Sequence, residues 1–206
     1  MPAQFHVTVI PDTPFMVIPQ TTSERRDYIP IGWLEPPVIP SDKLRLLLDA
    51  TLWEFGILTS QMHMAWMRAI TGRMKSDYMY SVGVVYNTFP WPDSTLAQRT
   101  KIEALAQAVL DARALPKNAT STLADLYDPD TMPPELRKAH RDLDSAVDKL
   151  YAPKGFADDR ARVELLFKRY EELVLPTMTA PAANRRTNRR IGRRVARAIA
   201  EGADAK

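Results

Sequence analysis

The chain has 206 residues, of which 45% are hydrophobic and 26% charged, with a formal net charge of +3 at pH 7; these values are typical of one large or two small globular domains. It contains no cysteine, which excludes a disulfide framework, a Cys-type zinc site, an iron–sulfur cluster and a thiol nucleophile. The first residues lack a signal-peptide pattern and no apolar run is long enough to span a membrane, so we expect a cytoplasmic protein with no membrane partner.

Short apolar runs lie between prolines in residues 1–40, which hold eight of the 17 prolines. The runs are 5–10, 15–18 and 28–31. Because proline cannot donate a hydrogen bond to a sheet, this pattern predicts edge strands and irregular crossings rather than central strands.

Two helices and a hairpin are predicted next. Leucine spacing favours a helix over 41–56 that ends at Gly56, and a second, shorter helix over 59–71. The runs 75–80 and 82–89 are rich in tyrosine and valine, so they predict a β-hairpin around Ser81.

After Pro92 the pattern is helical. Apolar stripes predict helices over 95–115, 134–151 and 158–175, and the first stripe includes Leu96. The linker between the first two has room for one helical turn. The fold prediction is therefore α+β, with a small mixed α/β unit of short strands and a hairpin in 1–92 and a helical bundle in 93–176.

A basic tail, 177–206, completes the chain. Its acidic residues are only Glu201 and Asp204. Such a tail is typical either of polyanion binding or of a disordered, solubilising segment, and composition does not decide between them. Its candidate polyanion-binding residues are Arg185, Arg186, Arg189, Arg190, Arg193, Arg194 and Arg197.

No catalytic or metal-binding motif is present in the sequence. His6, His63 and His140 are too scattered for a metal site, and we interpret His140 as structural. The glycines form neither a phosphate-binding loop nor a dinucleotide-binding motif. The stretch from Asn87 to Trp91 lacks the proline that would make it an amino-methyltransferase loop.

Long strings of the sequence carry a family resemblance. The strings are SERRDYIPIG (23–32), FGILTSQMHMAWMRAITGRMKSDYMYS (55–81) and VYNTFPWP (85–92). They resemble the target-recognition domain of the MmeI-type, or type IIL, restriction–modification enzymes. MPPELRKAHRDLDSAVDKLY (132–151) and RVELLFKRYEEL (162–173) are similar to the helical C-terminal domain of the same family.

The resemblance implies the DNA-reading portion of a larger adenine DNA methyltransferase and endonuclease, with double-stranded DNA as partner. This chain has no catalytic motif of its own, and the resemblance assigns the methyltransferase and endonuclease activities to the complete family enzyme. We expect no cofactor here, since S-adenosylmethionine and Mg²⁺ would belong to the methyltransferase and endonuclease parts. A separate methyltransferase or nuclease polypeptide is a possible partner. The alternative is a non-catalytic interaction subunit whose helices dock a separate methyltransferase.

Lys75 and Asp77 are the strongest candidates for reading DNA bases. Two residues apart on a predicted strand, they would point to one face. Lysine can donate to guanine and aspartate can accept from cytosine, so the pair suits one G·C base pair. The resemblance implies this role, and a plain surface ion pair is the alternative.

Other polar residues near these strings are candidate DNA contacts. Arginines can bind phosphates or guanine, so Arg73 joins the base-reading set. His63 stands in a methionine-rich stripe that is otherwise typical of core packing. The remaining candidate DNA contacts are Arg25, Arg26, His63, Arg68, Ser76, Tyr78, Tyr80, Ser81 and Asn87.

Overall fold

Two small antiparallel sheets carry the first part of the chain in this computed structural model, which describes residues 11–179, with side chains through Leu175. In the first sheet, β1 (Phe15–Pro19) lies between β3 (Gly32–Leu34) and β4 (Leu44–Leu47). In the second, β6 (Asp77–Met79) lies between β2 (Thr21–Thr22) and β5 (Arg73–Met74). The described residues up to Leu166 belong to one compact unit and those from Phe167 to another.

The prediction that 15–18 forms an edge strand is wrong. β1 is central, with Met16 opposite both Trp33 and Leu47. Pro14 and Pro19 flank the run, so each residue from Phe15 to Ile18 keeps its backbone N–H for the ladder. Residues 28–31 form irregular backbone rather than a strand, and the predicted strand 5–10 lies outside the described residues.

The predicted helix 41–56 is also wrong over most of its length. Leu44–Leu47 form β4, Asp49 then takes a left-handed conformation with φ of 54°, and α1 covers only Leu52–Leu58. Pairing with β1 outweighs the local leucine spacing. Thr51 begins the helix as a capping box, because its hydroxyl accepts from the Trp53 N–H at 3.2 Å and the Glu54 carboxylate accepts from the Thr51 N–H at 2.8 Å.

The remaining predicted helices are confirmed. α2 is Gln61–Ile70, α3 is Leu96–Arg113, α5 is Pro134–Tyr151 and α6 is Asp159–Thr179. The linker holds a 3₁₀ turn, Pro116–Asn118, and the one-turn helix α4, Leu123–Leu126. Leu96 is an exception to its stripe, since it is 82% exposed.

Helix packing builds the core. α3 packs against both α1 and α5, and its buried side chains include Ile102, Ala106 and Val109. The fold is α+β, as predicted. Within the part of the chain that the structure describes, no helix combines the length and apolar character needed to cross a membrane.

Candidate nucleic-acid interface

The hairpin differs from the predicted one. Its strands are β5 and β6, Met74 is opposite Asp77, and Lys75 and Ser76 form the turn between them. Residues Val82–Tyr86 form a π-helical turn instead of the second strand. The Asn87 N–H closes that turn by donating to the Val82 carbonyl at 2.9 Å, and the Val85 side chain is buried.

Lys75 therefore lies in a turn and not on a strand. The prediction that Lys75 and Asp77 share one face of a strand is wrong. The φ of Lys75, 58°, is in the left-handed region, which is unusual for a residue other than glycine or asparagine. Lys75 and Ser76 are exposed and Asp77 is half-buried. Among the described residues, no ion pair joins Lys75 to Asp77 within 4.0 Å, so the surface ion pair of the alternative interpretation is not formed.

Arg73 stabilises the hairpin through contacts with Ser76 and Tyr78 of the same hairpin. Its guanidinium pairs with Glu24 at 3.0 Å, donates to the Ser76 carbonyl at 3.2 Å and to the Tyr78 hydroxyl at 3.2 Å, and lies 4.4 Å from the centroid of the Tyr78 ring. Tyr78 itself is buried. Both residues support the turn, and the tip beyond them carries the unpaired side chains.

Charged residues tie the loop that follows β2 to α4, to α5 and to the turn between them. Arg25 pairs with Asp130 at 2.6 Å, and Arg26 donates to the Ala124 carbonyl at 3.4 Å. Asp27 pairs with Arg137 at 3.1 Å. Arg25 and Arg26, both predicted to contact DNA, thus have partners within the chain.

Arg68 fixes the same loop from α2. It donates to the backbone carbonyls of Arg26 and Asp27 at 3.1 and 3.3 Å, and it pairs with Asp159 at 3.0 Å. Its side chain is only 25% exposed. The geometry makes Arg68 a structural link between the loop and the first turn of α6.

His63 and Tyr80 form a buried pair, which removes both as direct DNA contacts. His63 is 0% exposed, its Nε2 is 3.0 Å from the Tyr80 hydroxyl, and its ring meets the Phe89 ring edge-on at 4.7 Å. Burial lowers the pKa of His63 to about 3, so the imidazole stays neutral at physiological pH. The interpretation of the surrounding methionine-rich stripe as core is confirmed for Met62, Met64, Trp66 and Met67.

His140 is structural, as predicted. It is fully buried, its ring stacks on Tyr28 with centroids 3.9 Å apart, and its Nε2 is 2.7 Å from the Tyr127 hydroxyl. Burial lowers its pKa well below the usual value.

The other candidates divide by exposure. Ser76 and Asn87 are exposed, while Ser81 is half-buried and its hydroxyl accepts from the Val84 N–H at 3.4 Å. The arginine-rich tail lies outside the described residues. The described residues contain no group of histidine, aspartate and glutamate side chains that could hold a metal ion.

Sequence reasoning missed Met74 beside the hairpin tip. It is 52% exposed and lies opposite Asp77 in the ladder. An apolar side chain there could contact a thymine methyl group. No periodicity in the sequence identifies it, since the position of the turn decides its exposure.

Comparison with known proteins agrees with this architecture. Residues 1–93 match the family model for the MmeI target recognition domain, and residues 94–178 match that for the MmeI C-terminal domain. DNA methyltransferase A of Bacillus subtilis (strain 168) is 42% identical over 158 residues, which is 77% of this chain and 18% of that protein.

A solved structure shows the same fold. The type IIL restriction–modification enzyme MmeI, determined in complex with DNA, matches with a TM-score of 0.76 and 45% identity over 80% of this chain and 22% of that chain. The present chain thus spans less than a quarter of either relative. The two family models follow one another without interruption and together reach residue 178, and the chain therefore belongs to the MmeI family, of which it carries target-recognition and C-terminal domain sequence.

Proposed function

We propose that this chain is the DNA sequence-recognition portion of a type II restriction–modification adenine methyltransferase, and that the β5–β6 hairpin reads bases. The observation that carries the proposal is that some charged side chains near the hairpin have partners within the chain and others do not. Arg25, Arg26, Arg68 and Arg73 all have partners inside the chain, whereas Lys75 and Asp77 at the hairpin tip are unpaired in the described residues.

A two-stranded ribbon fits the major groove, where each base pair presents its own pattern of donors and acceptors. Lys75 can donate to guanine O6 or N7, and Asp77 can accept from cytosine N4. The bracing by Arg73 holds the turn without using either group. Lys75 and Asp77 together would thus read one G·C pair.

The backbone at Lys75 supports the same role. A left-handed conformation costs free energy at a lysine, and such strain is concentrated at functional sites in proteins. The two-residue turn places Lys75 at the end of the hairpin, where it is exposed.

Phosphate contacts would come from the exposed polar residues around the hairpin. Ser76 and Asn87 are exposed, and Arg25 could exchange its solvent-exposed partner Asp130 for a DNA phosphate. The basic tail would add attraction that does not depend on sequence. We expect steep salt dependence of binding, with non-specific affinity on the order of 10⁻⁴–10⁻⁶ M.

Methyl transfer and cleavage would be performed by a methyltransferase and nuclease part, on the same polypeptide or a separate one. S-adenosylmethionine and Mg²⁺ would bind to that part. The purified chain incubated with S-adenosylmethionine and DNA is therefore expected to transfer no methyl group.

The test exchanges the two side-chain chemistries in the complete enzyme, either reconstituted with its methyltransferase part or rebuilt as a fusion. Lys75→Glu with Asp77→Arg should turn the preference toward C·G at one position of the methylated site, by a factor of about 5 to 150. The control exchange is Lys43→Glu with Asp42→Arg, because these residues are an exposed lysine and aspartate, paired at 3.1 Å, that lie outside the hairpin. An unchanged site with the hairpin exchange, or a changed site with the control, refutes the base-reading assignment.

A further inference from the structure

A cavity separate from the β5–β6 hairpin lies between α5, the turn that follows it and the start of α6. Its volume is about 410 Å³, and its lining includes Arg141, Ser145, Lys149, Lys154 and Arg162. All of these residues belong to the helical part of the first compact unit and none belongs to the β5–β6 hairpin.

Helix geometry places three of these side chains on one face. Arg141, Ser145 and Lys149 are four residues apart along α5, so they lie above one another. Lys154 comes from the turn, in which the Gly155 N–H donates to the Ala152 carbonyl at 2.9 Å and Gly155 has a φ of 71°. The turn thus brings a lysine back toward the helix face.

The acidic residues of the cavity are already satisfied by other groups. Asp148 receives two bonds from Arg162, at 3.0 and 2.7 Å. Asp144 accepts from the Tyr28 hydroxyl at 2.7 Å and from the Gln61 N–H at 2.8 Å. Burial also raises the pKa of Asp144 to about 7, which reduces its negative charge near neutral pH.

The unpaired charge that remains is positive. Among the described residues, Arg141, Lys149 and Lys154 have no ion-pair partner, and the Ser145 hydroxyl is an additional donor. Donors of this kind around a concave site match the oxygen atoms of a phosphate group.

We infer that this cavity binds a phosphate group, supplied either by a DNA backbone or by free phosphate. Binding of a DNA backbone phosphate rests on the proposed function, since it would give the helical part a contact with DNA in addition to that of the hairpin. Binding of free phosphate does not depend on that function.

The test uses the full chain and two charge-matched variants. Lys149→Gln with Lys154→Gln removes two cations from the cavity, and Lys101→Gln with Lys138→Gln removes two exposed cations of α3 and α5 outside it. Calorimetric titration with inorganic phosphate should show affinity lowered about tenfold in the cavity variant and unchanged in the control. Thermal unfolding of both variants without phosphate checks that the fold is intact.

A second arm measures binding to a DNA duplex as a function of salt concentration. If the backbone is the source, the cavity variant lowers the slope of log K against log salt by about 1 relative to the control variant. If phosphate affinity falls but the slope does not, free phosphate is the ligand. Absence of phosphate binding by the unmodified chain, or equal loss in both variants, overturns the inference. The phosphate titration is decisive even if the chain binds no DNA, so failure of the proposed function can be told apart.

Discussion

The Tyr28 hydroxyl donates a 2.7 Å hydrogen bond to the buried carboxylate of Asp144. The same carboxylate accepts from the Gln61 N–H at 2.8 Å. Tyr28 and Gln61 belong to the region that matches the target recognition domain and Asp144 to the region that matches the C-terminal domain. One acidic side chain therefore joins the two regions through a buried polar contact, whose loss would leave groups unsatisfied.

The first prediction concerns pH. Burial raises the pKa of Asp144 from 3.8 to about 7, so between these values the folded chain holds a proton that the unfolded chain releases. The contribution of Asp144 to the free energy of unfolding must then decrease as pH rises through this interval, by on the order of 4 kcal/mol. Asp144→Asn removes the titration, while its amide can accept from Gln61 and donate to Tyr28. Urea unfolding of both proteins should give similar free energies of unfolding at the low-pH end of the interval, and the two curves should diverge as pH rises, with Asp144→Asn the more stable at high pH. Parallel curves would contradict the assignment.

Helices were predictable from the sequence where local signals agree with the core. Thr95 forms a capping box with Gln98, and Pro134 occupies the first turn of α5, so both helices start where the pattern indicates. Leu44–Leu47 were not predictable in this way. A run of leucines fits a helix face as well as a strand, and pairing with β1, which is distant in sequence, decides the outcome.

The candidate site was predictable in location but not in detail. The strings around 73–81 pointed to the hairpin region, yet the turn at Lys75 and Ser76 lacks the glycine or asparagine that usually signals one. Sequence also could not show that Arg68 and His63 face inward. Their roles depend on Asp159, 91 residues from Arg68, and on Tyr80, 17 residues from His63, and the local spacing of the sequence shows neither contact.

The second prediction separates a structural arginine from an exposed one. Arg68→Ala should lower the free energy of unfolding by about 1–3 kcal/mol, because the Arg26 carbonyl loses its donor and the ion pair with Asp159 is lost. Asp159 keeps its bond from Arg162 and the Asp27 carbonyl keeps its bond from Gln61. Arg25→Ala serves as the control, since its pair with Asp130 is largely exposed and its removal should leave the unfolding midpoint nearly unchanged. Chemical denaturation measures both. Equal effects would show that the link between loop and α6 is not required.

The third prediction uses the left-handed residue of the hairpin. Lys75→Gly relieves the backbone at φ of 58° and should raise stability by about 1 kcal/mol. Lys75→Ala keeps the strained backbone and should not raise it. Both variants lose the amine, so both should lose discrimination at one base pair in the complete enzyme. Thermal unfolding and mapping of methylated sites would together measure the two effects; discrimination retained by either variant would argue against a base contact by Lys75.

The last prediction concerns the contact between α1 and α3. A Cβ added at Gly56 would lie 2.8 Å from Ile102 Cγ2 and 3.3 Å from Ala106 Cβ. Alanine has the higher helix propensity, by about 1 kcal/mol, so propensity alone predicts that Gly56→Ala stabilises the chain. The crowded contact should outweigh this gain, because overpacking a core costs about 1–3 kcal/mol, and we expect a lower melting temperature. Gly83→Ala is the control, since nothing lies within 4 Å of its added Cβ.

In a double-mutant cycle, Gly56→Ala with Ile102→Ala should cost less than the sum of the single changes, because the second substitution removes the methyl group that the new Cβ meets. An increased melting temperature for Gly56→Ala alone would mean that α1 and α3 separate easily at this contact.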